Sequence, residues 1–76
     1  MNNMRRSKLD EIASKLEDIQ YELYSVSSEE EEYYDNMPES IQSGEKGDRA
    51  LEVINMIEEA GCSFDDLLDT IRSAAE

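Results

Sequence analysis

One pattern constrains this chain more than any other. From Leu9 to Met37, apolar residues return at alternating steps of three and four: Leu9, Ile12, Leu16, Ile19, Leu23, Val26, Tyr33 and Met37. Glu30 is the one seam position in that series that is not apolar. A 3-4 alternation is a heptad repeat, and on an α-helix it lays a narrow apolar stripe along one side. The rest of the chain must supply whatever covers that stripe.

The pattern predicts a first helix over 7–35. Ser7 is placed to cap it, with Asp10 and Glu11 in a first turn where the helix dipole favours acids. Pro38 stops it, because Met37 before a proline is driven out of the helical region. Pro38 then suits the start of a short helical turn reaching Gln42, with Ile41 tucked beneath the loop. Ser43, Gly44 and Gly47 are breakers, so the connection is predicted over 36–47.

A second helix is predicted over 48–74. Its seam reads Ala50, Ile54, Ile57, Gly61, Phe64, Leu68, Ile71 and Ala75. Val53, Ala60, Leu67 and Ala74 form a further apolar row beside it. A contact between two helices needs only one seam, so the extra row predicts a second neighbour, and it is the candidate self-association face. The segment Ala60-Gly61-Cys62-Ser63 has two readings. Gly61 could end one helix, with Ser63 and Asp66 capping another. The heptad phase nevertheless passes through Gly61 without a slip, which favours one continuous helix.

The fold class is therefore all-α: an antiparallel two-helix hairpin, coiled-coil-like, with arms of about 40–45 Å. Two hairpins joined through the second helix would make a four-helix bundle. The antiparallel order would also set Arg5 and Arg6 beside the negative end of the second helix, near Asp69 and Glu76.

Composition narrows the function. The chain of 76 residues is one domain at most, near the size at which a single core becomes marginal. It has no apolar run long enough to span a membrane and no apolar leader, and its single cysteine, Cys62, fits a reducing compartment, so a cytoplasmic location without membrane association is expected. Twenty acidic residues against seven basic give a net charge of −13. Such a surface repels nucleic acid and anionic membrane, and its charged partner would be a basic protein surface.

Around the turn, the sequence Glu29-Glu30-Glu31-Glu32-Tyr33-Tyr34-Asp35-Asn36-Met37-Pro38-Glu39-Ser40-Ile41-Gln42 resembles that of a group of short proteins encoded by bacteria, prophages and phages. In that group an acidic heptad helix runs into an Asp-Asn-x-Pro-Glu turn and a second heptad helix. The resemblance implies a two-helix fold and a phage setting. It carries no catalytic residue with it.

No enzyme motif stands out. With no histidine, neither a di-iron bundle site nor an activated cysteine is built. The acids lack the alternate spacing of a calcium loop, and no cofactor is expected. What remains is a non-enzymatic protein-binding module. An arm of about 45 Å corresponds to duplex DNA carrying roughly 26 charges. The carboxylate density is thus of the right order for a DNA-like surface that blocks a nucleic-acid-binding host or defence protein. The candidate contact residues are Glu29, Glu30, Glu31, Glu32, Tyr34 and Asp35 near the turn, with Glu58, Glu59, Asp65 and Asp66 as a second acidic strip. Tyr21 and Tyr24 lie outside the seam, either as contacts or lying flat over neighbouring helix surface. The alternative reading is a structural or adaptor hairpin, a homo-oligomer whose acidity only keeps it soluble.

Overall fold

The computed structural model describes residues 2–76, and it is helical almost throughout. Helix α1 covers Asn3–Asp35, a single turn α2 covers Glu39–Gln42, and α3 covers Glu45–Ala74. The two long helices run antiparallel in a rod whose Cα extents are 59 × 15 × 11 Å.

Helix α1 begins earlier than the position of Ser7 predicts. Asn2 is the cap: its side-chain oxygen accepts from the Arg5 backbone N–H at 2.9 Å, satisfying one of the donors that a helix start leaves free. Arg5 and Arg6 make no ion pair with Asp69 or Glu76. Arg6 is half-buried, and its Nε has no hydrogen-bond partner among the described residues. Among the described residues, Arg72 is the base that crosses between the helices, its Nη2 donating to Glu17 Oε2 at 2.7 Å. Both side chains are about half exposed, so the pair contributes no more than about 1 kcal/mol.

The connection is tighter than 36–47. Pro38 precedes α2 as expected, and the Gln42 side-chain amide donates back to the Tyr34 carbonyl at 2.9 Å, tying α2 to the end of α1. Helix α3 then starts at Glu45, with Glu45 and Asp48 in its first turn. Gly47 is not a breaker but a buried helical residue. A Cβ there would lie 1.8 Å from the Gln42 carbonyl oxygen, so only glycine lets α2 fold down onto the start of α3.

Helix α3 is continuous through Gly61, and its seam is the one the sequence predicts. Ala50, Ile54, Gly61 and Leu68 are buried, while Ile57, Phe64, Ile71 and Ala75 are half-buried. The seam of α1 differs. Leu9, Leu16, Leu23, Glu30 and Met37 face α3 as expected, but the intervening positions are Ala13, Gln20, Ser27 and Tyr34. Ile12, Ile19, Val26 and Tyr33 are turned out, at 36, 48, 51 and 53 % exposure. Both series alternate by three and four, so periodicity does not choose between them. The observed seam is the one that fits closely. Ala13 and Ser27 are small and buried, Gly61 lies opposite Gln20 and Tyr24, and Gln20 finds hydrogen-bond partners across the contact.

The resulting core is thin. Among the described residues its buried apolar side chains are Ala13, Ala50, Ile54 and Leu68, and no large one is fully enclosed. A fully buried Leu or Ile stabilises by about 1.5–3 kcal/mol, so this seam alone gives a marginal fold.

Candidate interaction surfaces

Successive helical residues are about 100° apart around the axis. With the seam fixed, that spacing places every other side chain. In each long helix the residue immediately before a tightly packed seam residue lies to one side of it: Ile12 before Ala13, Ile19 before Gln20, Val53 before Ile54, Leu67 before Leu68. Because α1 and α3 are antiparallel and wind with the same hand, both of these rows emerge on the same face of the hairpin.

That face carries Ile12, Ile19, Val26 and Tyr33 from α1 and Val53, Ala60, Leu67 and Ala74 from α3. All are exposed except Val53, which is half-buried. Arg5 and Lys46 continue the two rows. The flanking rows are Lys8, Lys15, Glu22 and Glu29 on α1, and Arg49, Met56, Ser63 and Thr70 on α3. A groove lined by Ala60, Ser63, Phe64 and Leu67 runs along it. Near the turn, a second groove brings Glu30 and Tyr33 beside Lys46 and Arg49.

The opposite face is held by polar contacts. Tyr24 crosses from α1 to lie on Gly61, where a Cβ would sit 2.4 Å from the phenolic oxygen. This is the structural reason for a glycine in mid-helix. Beside it the buried Gln20 side-chain amide donates to the Gly61 carbonyl at 3.0 Å and to Asp65 Oδ1 at 2.8 Å. Arg72 and Glu17 close the same face nearer the open end.

The candidate contact residues separate accordingly. Four consecutive residues sweep most of the way round a helix, so Glu29, Glu30, Glu31 and Glu32 form no single patch. Glu29 lies at the rim of the apolar face, Glu30 in the seam, Glu31 on the opposite face, and Glu32 on the outer edge of α1. Tyr34 is a half-buried seam residue occupied by the turn, and Asp35 is exposed beyond it. From α3, Glu58 and Asp65 share the face of Glu31, while Glu59 and Asp66 line the outer edge. Asp65 is engaged by Gln20. Tyr21 is 66 % exposed on the acidic side.

Charge follows the same division. Of the twenty carboxylates, Glu22 and Glu29 lie in the flanking rows and Glu30 and Glu45 line the groove near the turn; the other sixteen lie away from the apolar face, whereas five of the seven bases lie on it or in its flanking rows. The acids on the outer surface are mostly solvated. Glu11 is one carboxyl with a clear shift: its hydrogen bond to Lys15, then the charges of Lys15 and Lys8, hold it below the usual glutamate range. Lys15 Nζ approaches Glu11 to 3.2 Å and Lys8 Nζ to 3.6 Å. Among the described residues no group of three His, Cys, Asp or Glu side chains is disposed to hold a metal ion, and no helix is long and apolar enough to cross a membrane.

The chain matches no protein-family model, no curated protein and no solved structure.

The outward row of α1 is the feature that the heptad reading misses. Its signal was present in the consecutive pairs Ile12-Ala13, Ile19-Gln20 and Val26-Ser27. In each, a large apolar residue precedes a small or amide-bearing one suited to a close helix contact.

Proposed function

We propose that this hairpin is a non-enzymatic protein-binding module that presents a DNA-like acidic surface to a basic, nucleic-acid-binding protein, as a phage- or prophage-type inhibitor of a host protein would. The carrying observation is the sorting of charge: acids dominate the outer edges and the face bearing Glu31, Glu58 and Asp65, and are nearly absent from the apolar face. A duplex as long as the 59 Å rod would carry roughly 35 charges, against twenty carboxylates on one hairpin. The resemblance around Asp35–Gln42 supports the phage setting.

The test is capture from nuclease-treated bacterial lysate, with and without excess duplex DNA, using the wild type and a Glu31→Lys, Glu58→Lys, Glu59→Lys variant. A nucleic-acid-binding protein that DNA displaces and that the variant fails to capture is the expected result. Capture that neither DNA nor the reversal affects would remove mimicry.

A second reading has its own observation. The row Val53, Ala60, Leu67 and Ala74 stands at the surface, as a hairpin acting by self-assembly into a four-helix bundle requires. Leu67→Glu breaks both assembly and function under this reading, and function that survives loss of assembly argues against it.

A further inference from the structure

We propose that the apolar face formed jointly by α1 and α3 is closed by a second copy of this chain, and that α1 contributes half of that interface through Ile12, Ile19, Val26 and Tyr33. This deepens the self-assembly reading and is separable from the acidic-surface reading.

Three observations select a second copy. The first is angular. In both helices the exposed apolar residue and the following seam residue are neighbours in sequence, about 100° apart. That is close to the right angle between the two contact directions of a helix at the corner of a four-helix bundle. Each helix thus has one contact direction filled by its own partner and a second left vacant.

The second is level matching. The contacts of Tyr24 with Gly61 and of Gln20 with Asp65 fix the register between the helices. That register sets Ile12 level with Ala74, Ile19 with Leu67, Val26 with Ala60, and Tyr33 with Val53. A two-fold axis parallel to the helices lays α1 of each copy over α3 of the other. Four levels then meet along the rod: Ile12 with Ala74 and Val26 with Ala60, large against small, and Ile19 with Leu67 and Tyr33 with Val53, apolar against apolar. Glu22, Glu29, Glu30 and Glu45 border the interface and the other acids remain outside, so the dimer presents acidic surface on both of its sides.

The third is area. A monomer of 8.7 kDa is expected to expose about 4,700 Å². This hairpin exposes 5656 Å², about 900 Å² more. The excess belongs to a thin rod of 59 × 15 × 11 Å, and a broad side of such a rod is on the order of the ~800 Å² per partner that a standard interface buries.

The experiment is sedimentation equilibrium of the full chain under reductant, so that the exposed Cys62 cannot cross-link. The wild type is expected at the mass of two chains in the micromolar range. Ile19→Glu is expected to weaken association about a hundredfold or more, because it places an unpaired carboxylate in the interface. Tyr21→Glu, on the acidic side, should leave the mass unchanged. Circular dichroism checks that helicity is retained. Should Ile19→Glu not fold, Ala60→Glu reads the same interface from α3, and the wild-type mass decides independently of either. A monomeric wild type, a mass of three or more chains, or a dimer indifferent to both substitutions would overturn the proposal. The reversal at Glu31, Glu58 and Glu59 leaves this mass at two chains, so loss of partner capture and loss of the dimer are distinguishable.

Discussion

Tyr24 rests on Gly61 so closely that no side chain can stand between the ring and the backbone of α3. Two opposed effects meet there. Alanine in a helix interior is favoured over glycine by about 1 kcal/mol, but a methyl group would push the ring away. The atoms it meets are at the far end of a side chain that can swing toward solvent. Gly61→Ala alone should therefore change stability little. In a Tyr24→Ala background the same substitution should stabilise by about 1 kcal/mol. A double-mutant cycle from thermal melts checks this, and a coupling near zero would mean that the ring does not dictate the glycine.

Gly47 presents the contrasting case. Its hypothetical Cβ meets the Gln42 backbone at 1.8, 2.4 and 2.7 Å, and backbone cannot swing aside without lifting α2. Gly47→Ala should destabilise by about 1–3 kcal/mol in spite of the better helix propensity. Denaturation monitored by circular dichroism gives the number. A neutral result would show that α2 is not held against α3 in solution.

These two glycines mark how far the fold was legible. Both look like breakers in sequence, because glycine lacks a side chain whatever its reason for being there. Gly61 was kept inside the helix by the heptad phase on either side. Gly47 had no such support, since it stands at the edge of the periodic segment. The seam of α1 was half legible for a related reason. Leu9, Leu16 and Leu23 belong to both candidate seams, and the choice between Ile19 and Gln20 depends on how closely α3 approaches. That approach rests on Gly61, forty-odd residues away in sequence. The charge partition followed from the seam and could not be read without it.

Gln20 is the polar residue inside that seam. Its substitution by leucine leaves no orphan, because the Gly61 carbonyl stays within the helix and Asp65 is exposed to water. Gln20→Leu should therefore match or exceed the wild type in stability, by up to about 1 kcal/mol. The expected cost is uniqueness, as for a buried polar residue that fixes register. The helix could then rotate toward the competing seam of Ile12, Ile19 and Val26, giving a second set of amide resonances. One set of resonances at unchanged stability would show that this contact does not select the seam.

The Glu11 carboxyl is held low by Lys15 and Lys8. A depressed folded-state pKa adds stability above the ordinary value of 4.5, and that stability is lost as pH falls through the folded value. Glu11→Gln should melt slightly below the wild type at pH 7, with the gap closing as pH drops well below 4.5. The site is fully exposed, so the gap should also shrink in high salt. A gap that persists at acid pH would assign the effect to something other than charge.

Salt should separate the two surfaces by sign. Each chain carries a net charge of −13, so two copies repel as they approach, although the acids are gathered away from the face between them. Raising ionic strength shortens the Debye length from about 10 Å at 0.1 M toward 3 Å at 1 M, which screens that repulsion and leaves apolar burial intact. Association through Ile19 and Leu67 should therefore tighten with added salt. Binding of a basic partner to the acidic side should weaken along the same series. Sedimentation equilibrium and partner titration at matched salt concentrations read the two slopes. Slopes of the same sign would mean that one surface serves both contacts, and the division of the hairpin into an assembling face and a charged face would fail.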